Sequence, residues 1–167
     1  MVGKGKLIAF FVFLSLLVSS VALAHSMTRE EMHVGGVGPG CTLGYVQEVY
    51  GEPMDKKEFA DNWIHVVTYI YSENFSVTGR YMTGDDIPEK DINVTGFALK
   101  DNSLATPSGI RVGTPYQEVV QKFGSGDVVH ISGKTYYCYT APHSAVEMSF
   151  VVDAKNIITE IRAGTEL

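Results

Sequence analysis

Two parts of this chain carry similar residues in the same order, and this internal similarity narrows the possible folds more than any other feature. Within the first block the offset is constant, so that Val46 matches Val119 and Gly51 matches Gly124. The matching blocks are 36–51 with 109–124, 69–71 with 137–139, and 94–97 with 158–161. Because three blocks recur in one order, the sequence predicts two tandem copies of one structural unit.

Each copy has the pattern of a short helix followed by antiparallel strands. Helices are predicted over Leu43–Tyr50 and 115–123, with Thr114 as an N-cap and a glycine closing each helix. β-branched and aromatic runs predict strands over 63–71, 75–78, 92–100, 134–139, 145–152 and 157–162. The fold class is therefore α+β, with two tandem repeats, each a short helix packed on an antiparallel sheet.

This pattern also divides the chain. Repeat 1 is expected over 36–100, with an acidic insertion at 83–91, and repeat 2 over 109–167, with 101–108 as the connector. A unit of this length buries little surface alone. We therefore expect the two copies to support each other, with sheets that are adjacent or continuous.

The first 24 residues have the features of an export signal. Lys4 and Lys6 precede a long apolar run, and Ala22-Leu23-Ala24 supplies a small-residue cleavage site. The alternative is an uncleaved anchor, since the run approaches the ~20 residues that span a bilayer, but no basic cluster follows it. The prediction is a signal peptide over 1–24, a flexible mature N-terminus over 25–35, and a secreted or periplasmic protein without a transmembrane segment.

The charge balance limits the class of partner. Cleavage removes two lysines and no acid from 13 basic and 19 acidic residues, which leaves 11 against 19 and a net charge of −8. Such a chain is a poor ligand for nucleic acid, whose binding depends on basic contacts to phosphate. The expected partner is a protein of the cell envelope or outside the cell.

The repeated blocks resemble a known superfamily. The glycine-marked turn, then Val46 and Tyr50-Gly51, with Val119 and Phe123-Gly124 in the second copy, resembles the β-lactamase inhibitor proteins and the outer-membrane assembly lipoproteins of the SmpA/OmlA type. The resemblance implies a helix packed on an antiparallel sheet and a non-enzymatic binding role. Cys41 stands where that family has methionine, no lipidated cysteine begins the mature chain, and each copy has one cysteine where the inhibitors close a disulfide.

Strand alternation separates two faces of the strand predicted over 63–71. Ile64, Val66, Thr68 and Ile70 form a small apolar set that suits a position beneath the helix. The aromatic residues would then lie on an open face, where Tyr and Trp make strong binding contacts. The alternative is that the aromatic face is the core and the tyrosine hydroxyls reach out of it. The predicted partner-binding residues are Trp63, His65, Tyr69, Tyr71, Tyr137 and Tyr139.

The cysteines and the first mature residues give weaker signals. The same alternation places Cys138 under the helix and Cys41 at a helix start, which favours two separate buried thiols over a bridge. Imidazole and thioether ligands suit copper, so a copper-handling protein is an alternative function. Its candidate ligands are His25, Met27, Met32 and His33.

No catalytic motif is present in the sequence. The acids Asp85, Asp86, Glu89 and Asp91 lack the order of a calcium loop, which favours a solvated loop. We find no nucleophile elbow or phosphate-binding glycine loop. The prediction is a binding protein without catalytic residues or cofactor, and an envelope hydrolase with a dispersed site is the remaining alternative.

Overall fold

A computed structural model describes residues 27–164. Its helices are α1 (Leu43–Tyr50) and α2 (Tyr116–Phe123), and a short 3-10 helix covers Glu89–Asp91. Four strands follow each α-helix. They are β1 (Asp55–Ala60), β2 (Ile64–Ile70), β3 (Phe75–Met82) and β4 (Val94–Leu99), then β5 (Asp127–Ile131), β6 (Lys134–Thr140), β7 (Glu147–Val152) and β8 (Ile158–Gly164).

Local sequence sets the ends of the helices. The Thr42 hydroxyl accepts a hydrogen bond from the Tyr45 amide and caps α1. Gly51 ends this helix with φ at 78°, a backbone angle that glycine adopts without a Cβ clash. In the second helix Pro115 occupies the N-cap position predicted for Thr114 and makes no side-chain cap bond, while the Thr114 hydroxyl accepts from the Arg111 amide in the preceding turn.

All strands belong to one antiparallel sheet with the order β1-β2-β3-β4-β8-β7-β6-β5. The α+β fold class is confirmed, and the sheet is continuous, which is one of the two arrangements expected. At its centre, Phe97, Ala98 and Leu99 of β4 pair with Ala163, Arg162 and Ile161 of β8. A Cβ at Gly96 would lie 2.5 Å from the Ala163 carbonyl oxygen, so the close approach of these strands requires glycine there.

The helices cover one face of this sheet and bury the main core against it. Leu43 of α1 lies over β3, since a Cβ at Gly79 would be 3.1 Å from its Cδ1 atom. Tyr116 of α2 stacks on Tyr137 of β6 with ring centroids 3.6 Å apart. Buried residues from all these layers form one cluster that runs from Met27 to Ala163. We call the opposite side of the sheet the open face.

Three apolar residues of the segment 27–34 belong to this core, which differs from the flexible segment predicted over 25–35. Met27, Met32 and Val34 are buried among the core residues. The Val34 and Val37 amides exchange hydrogen bonds with each other's carbonyls, and Gly35 donates to Ala105. The physical reason is that apolar thioether side chains fill space beside the helix layer, which stabilises the segment against the sheet.

The edge strands β1 and β5 were absent from the predicted strands. Every residue of both strands is exposed, so neither carries the alternation that marks a half-buried strand. In residues 27–164, none of the helices has the length and apolar character that crossing a membrane requires.

Candidate functional site

The strand register defines a complete row of side chains across the open face. Ile70 of β2 lies opposite Ser76 of β3, which lies opposite Ala98 of β4. The row continues through Arg162 of β8, which lies opposite Ala98 across the central β4–β8 pair. From edge to edge the row is Asp55, Ile70, Ser76, Ala98, Arg162, Ser149, Cys138 and Asp127. The centre of the open face therefore holds small residues beside one long arginine.

These small residues create a trough along β3 and β4. One depression of about 270 Å³ is lined by Ser76, Thr78 and Ala98 at its floor, with Val66 on one wall. A second, of about 380 Å³, continues from it, since Ser76 and Ala98 line both. We call the two together the trough. Its floor is low because β3 and β4 present small hydroxyl and methyl side chains between Val66 and Ile70 of β2 and Arg162 of β8.

The charged residues that line the trough are mainly basic. Arg80 and Arg162 line the first depression, and Lys57 and Lys100 line the second. The acid among the lining residues is Glu73. The trough thus has a local excess of three positive charges in a chain whose net charge is −6. This separation of charge is a feature of the folded molecule, because these residues are distant in the sequence.

The arginine at the centre has a weak intramolecular partner. Arg162 Nε lies 3.5 Å from Glu160 Oε1, and Lys134 Nζ lies 3.7 Å from the other oxygen of that carboxylate. Both distances exceed those of a charge-assisted hydrogen bond. The Glu160 carboxylate is itself buried, whereas the Arg162 side chain is 40% exposed. The exposed part of the guanidinium is therefore able to contact a ligand.

An apolar corner adjoins the trough at the β1–β2–β3 end of the sheet. Phe59 lies opposite Val66, and Ile64 lies opposite Met82, so these side chains are neighbours on the open face. Phe59 is 58% exposed and Met82 55%. Contiguous exposed apolar residues of this kind mark interaction surfaces.

The aromatic residues predicted as the partner surface mostly lie on the other side of the sheet. Tyr69 is 1% exposed and Tyr139 is also buried, so neither ring lies on an open face, contrary to the prediction. His65, Tyr71 and Tyr137 are half-buried on the same helix-covered face. Of the predicted residues, Trp63 is the exposed one, and its role in binding stays a prediction.

The tyrosine hydroxyls explain why this face is the core. The Tyr71 hydroxyl donates to the Gly51 carbonyl at 3.2 Å, and the Tyr139 hydroxyl donates to the Gly124 carbonyl at 2.8 Å. Each ring thus fills the space beside a helix, and each polar atom satisfies a carbonyl at that helix's end. Burial raises the pKa of Tyr71 to about 12. The structure therefore agrees with the alternative interpretation of the strand alternation, in which the aromatic face is the core and the tyrosine hydroxyls reach out of it.

A polar chain follows the rim of that face. The Tyr69 hydroxyl donates to Glu89 Oε1 at 2.6 Å, and Lys56 Nζ lies 2.9 Å from both Glu89 and Glu58. These donors, Tyr69 first, lower the pKa of the Glu89 carboxyl. The acidic insertion was predicted as a solvated loop. Asp85, Asp86 and Asp91 are exposed, but Glu89 anchors the insertion to a core tyrosine.

The second half of the open face contains a small apolar cluster of Tyr136, Cys138 and Val151. The prediction that Cys138 lies under the helix is therefore wrong, because the helix covers the opposite face. Burial, and then a hydrogen bond with Glu147, raises the pKa of the Cys138 thiol to about 12. Both cysteines are free, with Cys138 buried and Cys41 half-buried. The Cys138 thiol is thus protonated at neutral pH and is a structural side chain rather than a nucleophile.

The structure shows that two of the four candidate copper ligands are buried. Met27 and Met32 are core residues, so their thioethers are not presented to an ion. His33 Nδ1 lies 3.1 Å from the carbonyl oxygens of Arg29 and Glu30, and His25 lies outside the described residues. Throughout residues 27–164, no three His, Cys, Asp or Glu side chains are grouped so that they could hold a metal.

The predicted aromatic binding face did not locate the trough. The residue pattern of β3 does indicate it. On β3, Ser76, Thr78 and Arg80 alternate with Phe75, Val77 and Gly79. This pattern is typical of a half-exposed strand in the middle of a sheet. It marks the open face correctly, whereas β2 is apolar on both faces.

Comparison with known proteins gives two similar structures. No family model matches the sequence, and no curated protein matches it. A DUF4309 family protein, YjgB, from Bacillus subtilis is 14% identical over 85% of this chain and 88% of that chain, with a TM-score of 0.47. A "putative beta-lactamase inhibitor protein" from Streptococcus mutans is 12% identical over 84% of this chain and 91% of that chain, with a TM-score of 0.31. At these identities and TM-scores the likeness assigns no function, so function is argued from the site.

Proposed function

We propose that the protein is an exported, non-enzymatic binding protein that holds a protein partner on the open face of its sheet. The observation that carries this proposal is the trough, a depression with basic residues at its rim and an exposed apolar corner beside it. Interfaces combine aromatic, methionine and arginine contacts in this way. Export is supported by the signal-like segment at 1–24, which lies outside the described residues.

The shape of the site favours a macromolecule over a small ligand. The two depressions are open and continuous along the sheet, and their lining contains no histidine or cysteine. Small-molecule sites bury most of their ligand in a closed, largely apolar cavity. A broad, open trough instead fits a segment that projects from the surface of another protein.

We also propose that 36–100 and 109–167 are two copies of one unit, as the sequence similarity indicates. Three matched contacts support this. Thr42 bridges to Asn93 in the first half as Pro115 bridges to Ile157 in the second. The Tyr71 and Tyr139 hydroxyls reach equivalent helix ends. In the row across the open face, Asp55, Ile70 and Ser76 correspond to Asp127, Cys138 and Ser149.

Site-specific photo-crosslinking in the native host tests the proposed function. A photo-reactive residue in place of Ser76, at the floor of the trough, is expected to capture a protein partner. The matched control is the same residue in place of Gln121, which is exposed on α2. Capture of one partner from Ser76 and not from Gln121 supports the open face as the site. Capture from neither position, or equally from both, contradicts it.

A further inference from the structure

The basic residues of the trough are spaced along its length. Lys100 follows the end of β4 and donates its amide to the Asn74 carbonyl, at the start of β3. Arg162 lies in the row of Ser76, and Arg80 lies further along β3, opposite Val66. At ~3.3 Å per residue, the path from Asn74 to Arg80 is about 20 Å long. An extended segment of about six residues spans this distance.

The backbone of the trough determines what kind of contact an occupant makes. β3 and β4 lie inside the sheet, and their backbone groups pair with strands on both sides. An occupant therefore gains little from main-chain pairing of the kind that adds a strand to a sheet edge. Its affinity has to come from side chains that reach the guanidinium groups and the hydroxyls of the floor.

The side chains of the trough are best suited to bind carboxylates. Arginine presents a planar fork of donors that matches a carboxylate, and such charge-assisted bonds are about twice as strong as neutral ones. The walls between the charges are apolar at Val66 and Ile70. In an extended segment, alternate side chains point to the same side. Acidic residues at alternate positions would thus face the trough together.

We propose that the trough binds an extended, acidic segment of the partner protein, with carboxylates held by Arg80 and Arg162. This inference rests on the proposed function, since it names the part of the partner that enters the open face. The local excess of positive charge within a negatively charged chain supplies the charge complementarity.

A peptide titration followed by NMR tests the inference on the chain from His25 onward. The probe is a peptide of alternating Asp and Val, and the controls are peptides of equal length that alternate Asn with Val and Lys with Val. The Asp peptide is expected to shift the amide resonances of β3 and β4 and the side-chain Nε–H signals of Arg80 and Arg162. The Asn peptide is expected to bind about tenfold more weakly or worse, because it lacks the charge-assisted bonds.

Matched variants identify the residues responsible. Arg80→Gln with Arg162→Gln is expected to remove the preference for Asp over Asn, while Lys122→Gln with Lys155→Gln, equal in charge but outside the trough, keeps it. Arg80→Lys with Arg162→Lys should restore part of the preference, and this variant covers the case in which the Gln variant folds poorly.

Two results separate this inference from the proposed function. Equal binding of the Asp and Asn peptides overturns the acidic segment, while the Ser76 crosslink and the proposed function stand. Preference for Asp without a Ser76 crosslink overturns the proposed function instead. Tighter binding of a single-stranded oligonucleotide than of the Asp peptide at the same residues would assign the trough to a nucleic acid and also overturn the inference.

Discussion

At the scale of single residues, Ser149 of β7 is a buried polar side chain. Its hydroxyl has no hydrogen-bond partner among the described residues, although the side chain is buried. A buried hydroxyl without a partner is destabilising because it has lost its water. Ser149→Ala should therefore leave the free energy of unfolding unchanged or raise it by about 1 kcal/mol, as measured by urea denaturation. If Ser149→Ala instead lowers the free energy of unfolding by more than about 1 kcal/mol, the hydroxyl is bonded to an ordered water.

Cys138 gives a prediction for alkaline pH. Its thiol pKa is raised from 9.0 to about 12 by burial and Glu147. Because the thiol pKa is higher in the folded state than in the unfolded state, the stability that the protonated thiol contributes is complete below about pH 9. It is lost as the pH rises from about 9 toward 12. The melting temperature should fall over this range, and Cys138→Ala should have a shallower fall than the wild type. Equal slopes would show that the thiol is not protected from ionisation.

At the scale of elements, Glu89 fixes the acidic insertion to the sheet. Glu89→Gln removes a charged acceptor from the Tyr69 hydroxyl and a partner from Lys56, and it should cost about 1 kcal/mol at neutral pH, a figure reduced by partial exposure to water. Because the Glu89 pKa is lowered, its contribution is present above about pH 4.5 and disappears as the pH falls through the folded-state value.

Acid denaturation checks this prediction. Wild type should lose more stability than Glu89→Gln when the pH falls from 5 to 3. Asp86→Asn, an exposed acid of the same insertion, serves as the control and should behave as the wild type does. If the two substitutions have the same effect, the Glu89 contacts do not stabilise the insertion.

The elements also show what the sequence can predict. The helix α1 has the predicted bounds because a capping threonine and a terminal glycine act locally. The choice of face on β2 could not be predicted, since Val67 and Tyr69 are as apolar as Val66 and Ile70. That choice depends on where α1 docks, and the docking is set by Gly79, distant in sequence, which gives Leu43 room to approach. The trough depends in the same way on β3, β4 and β8 meeting.

At the scale of the whole molecule, the β4–β8 pairing and the shared core predict cooperative unfolding. A half of ~60 residues buries too small a fraction of its surface to be more than marginally stable. We expect one thermal transition for the chain from His25 onward, and at least one half to be unfolded when expressed alone. Val119→Ala, at a fully buried position of α2, should cost about 1–3 kcal/mol through lost burial and a cavity. It should shift that single transition as a whole.

Two separate transitions would contradict this account of the molecule. So would halves that are as stable alone as they are together, or a Val119→Ala change confined to the second half. Differential scanning calorimetry distinguishes these cases, because the calorimetric and van't Hoff enthalpies agree only for one cooperative unit.

The central claim is that the open face is the binding surface. It is tested most directly by measuring how tightly the partner identified by crosslinking binds a variant whose trough is blocked. Ser76→Trp places a large ring on the trough floor, and Gln121→Trp places the same ring on the exposed side of α2. If the open face is the binding surface, Ser76→Trp should weaken partner binding by about 100-fold or more in calorimetric titration, because the ring occupies the site of the contacts. Gln121→Trp should leave the affinity unchanged, and both variants should show cooperative unfolding. Undiminished binding by a folded Ser76→Trp variant would contradict the claim.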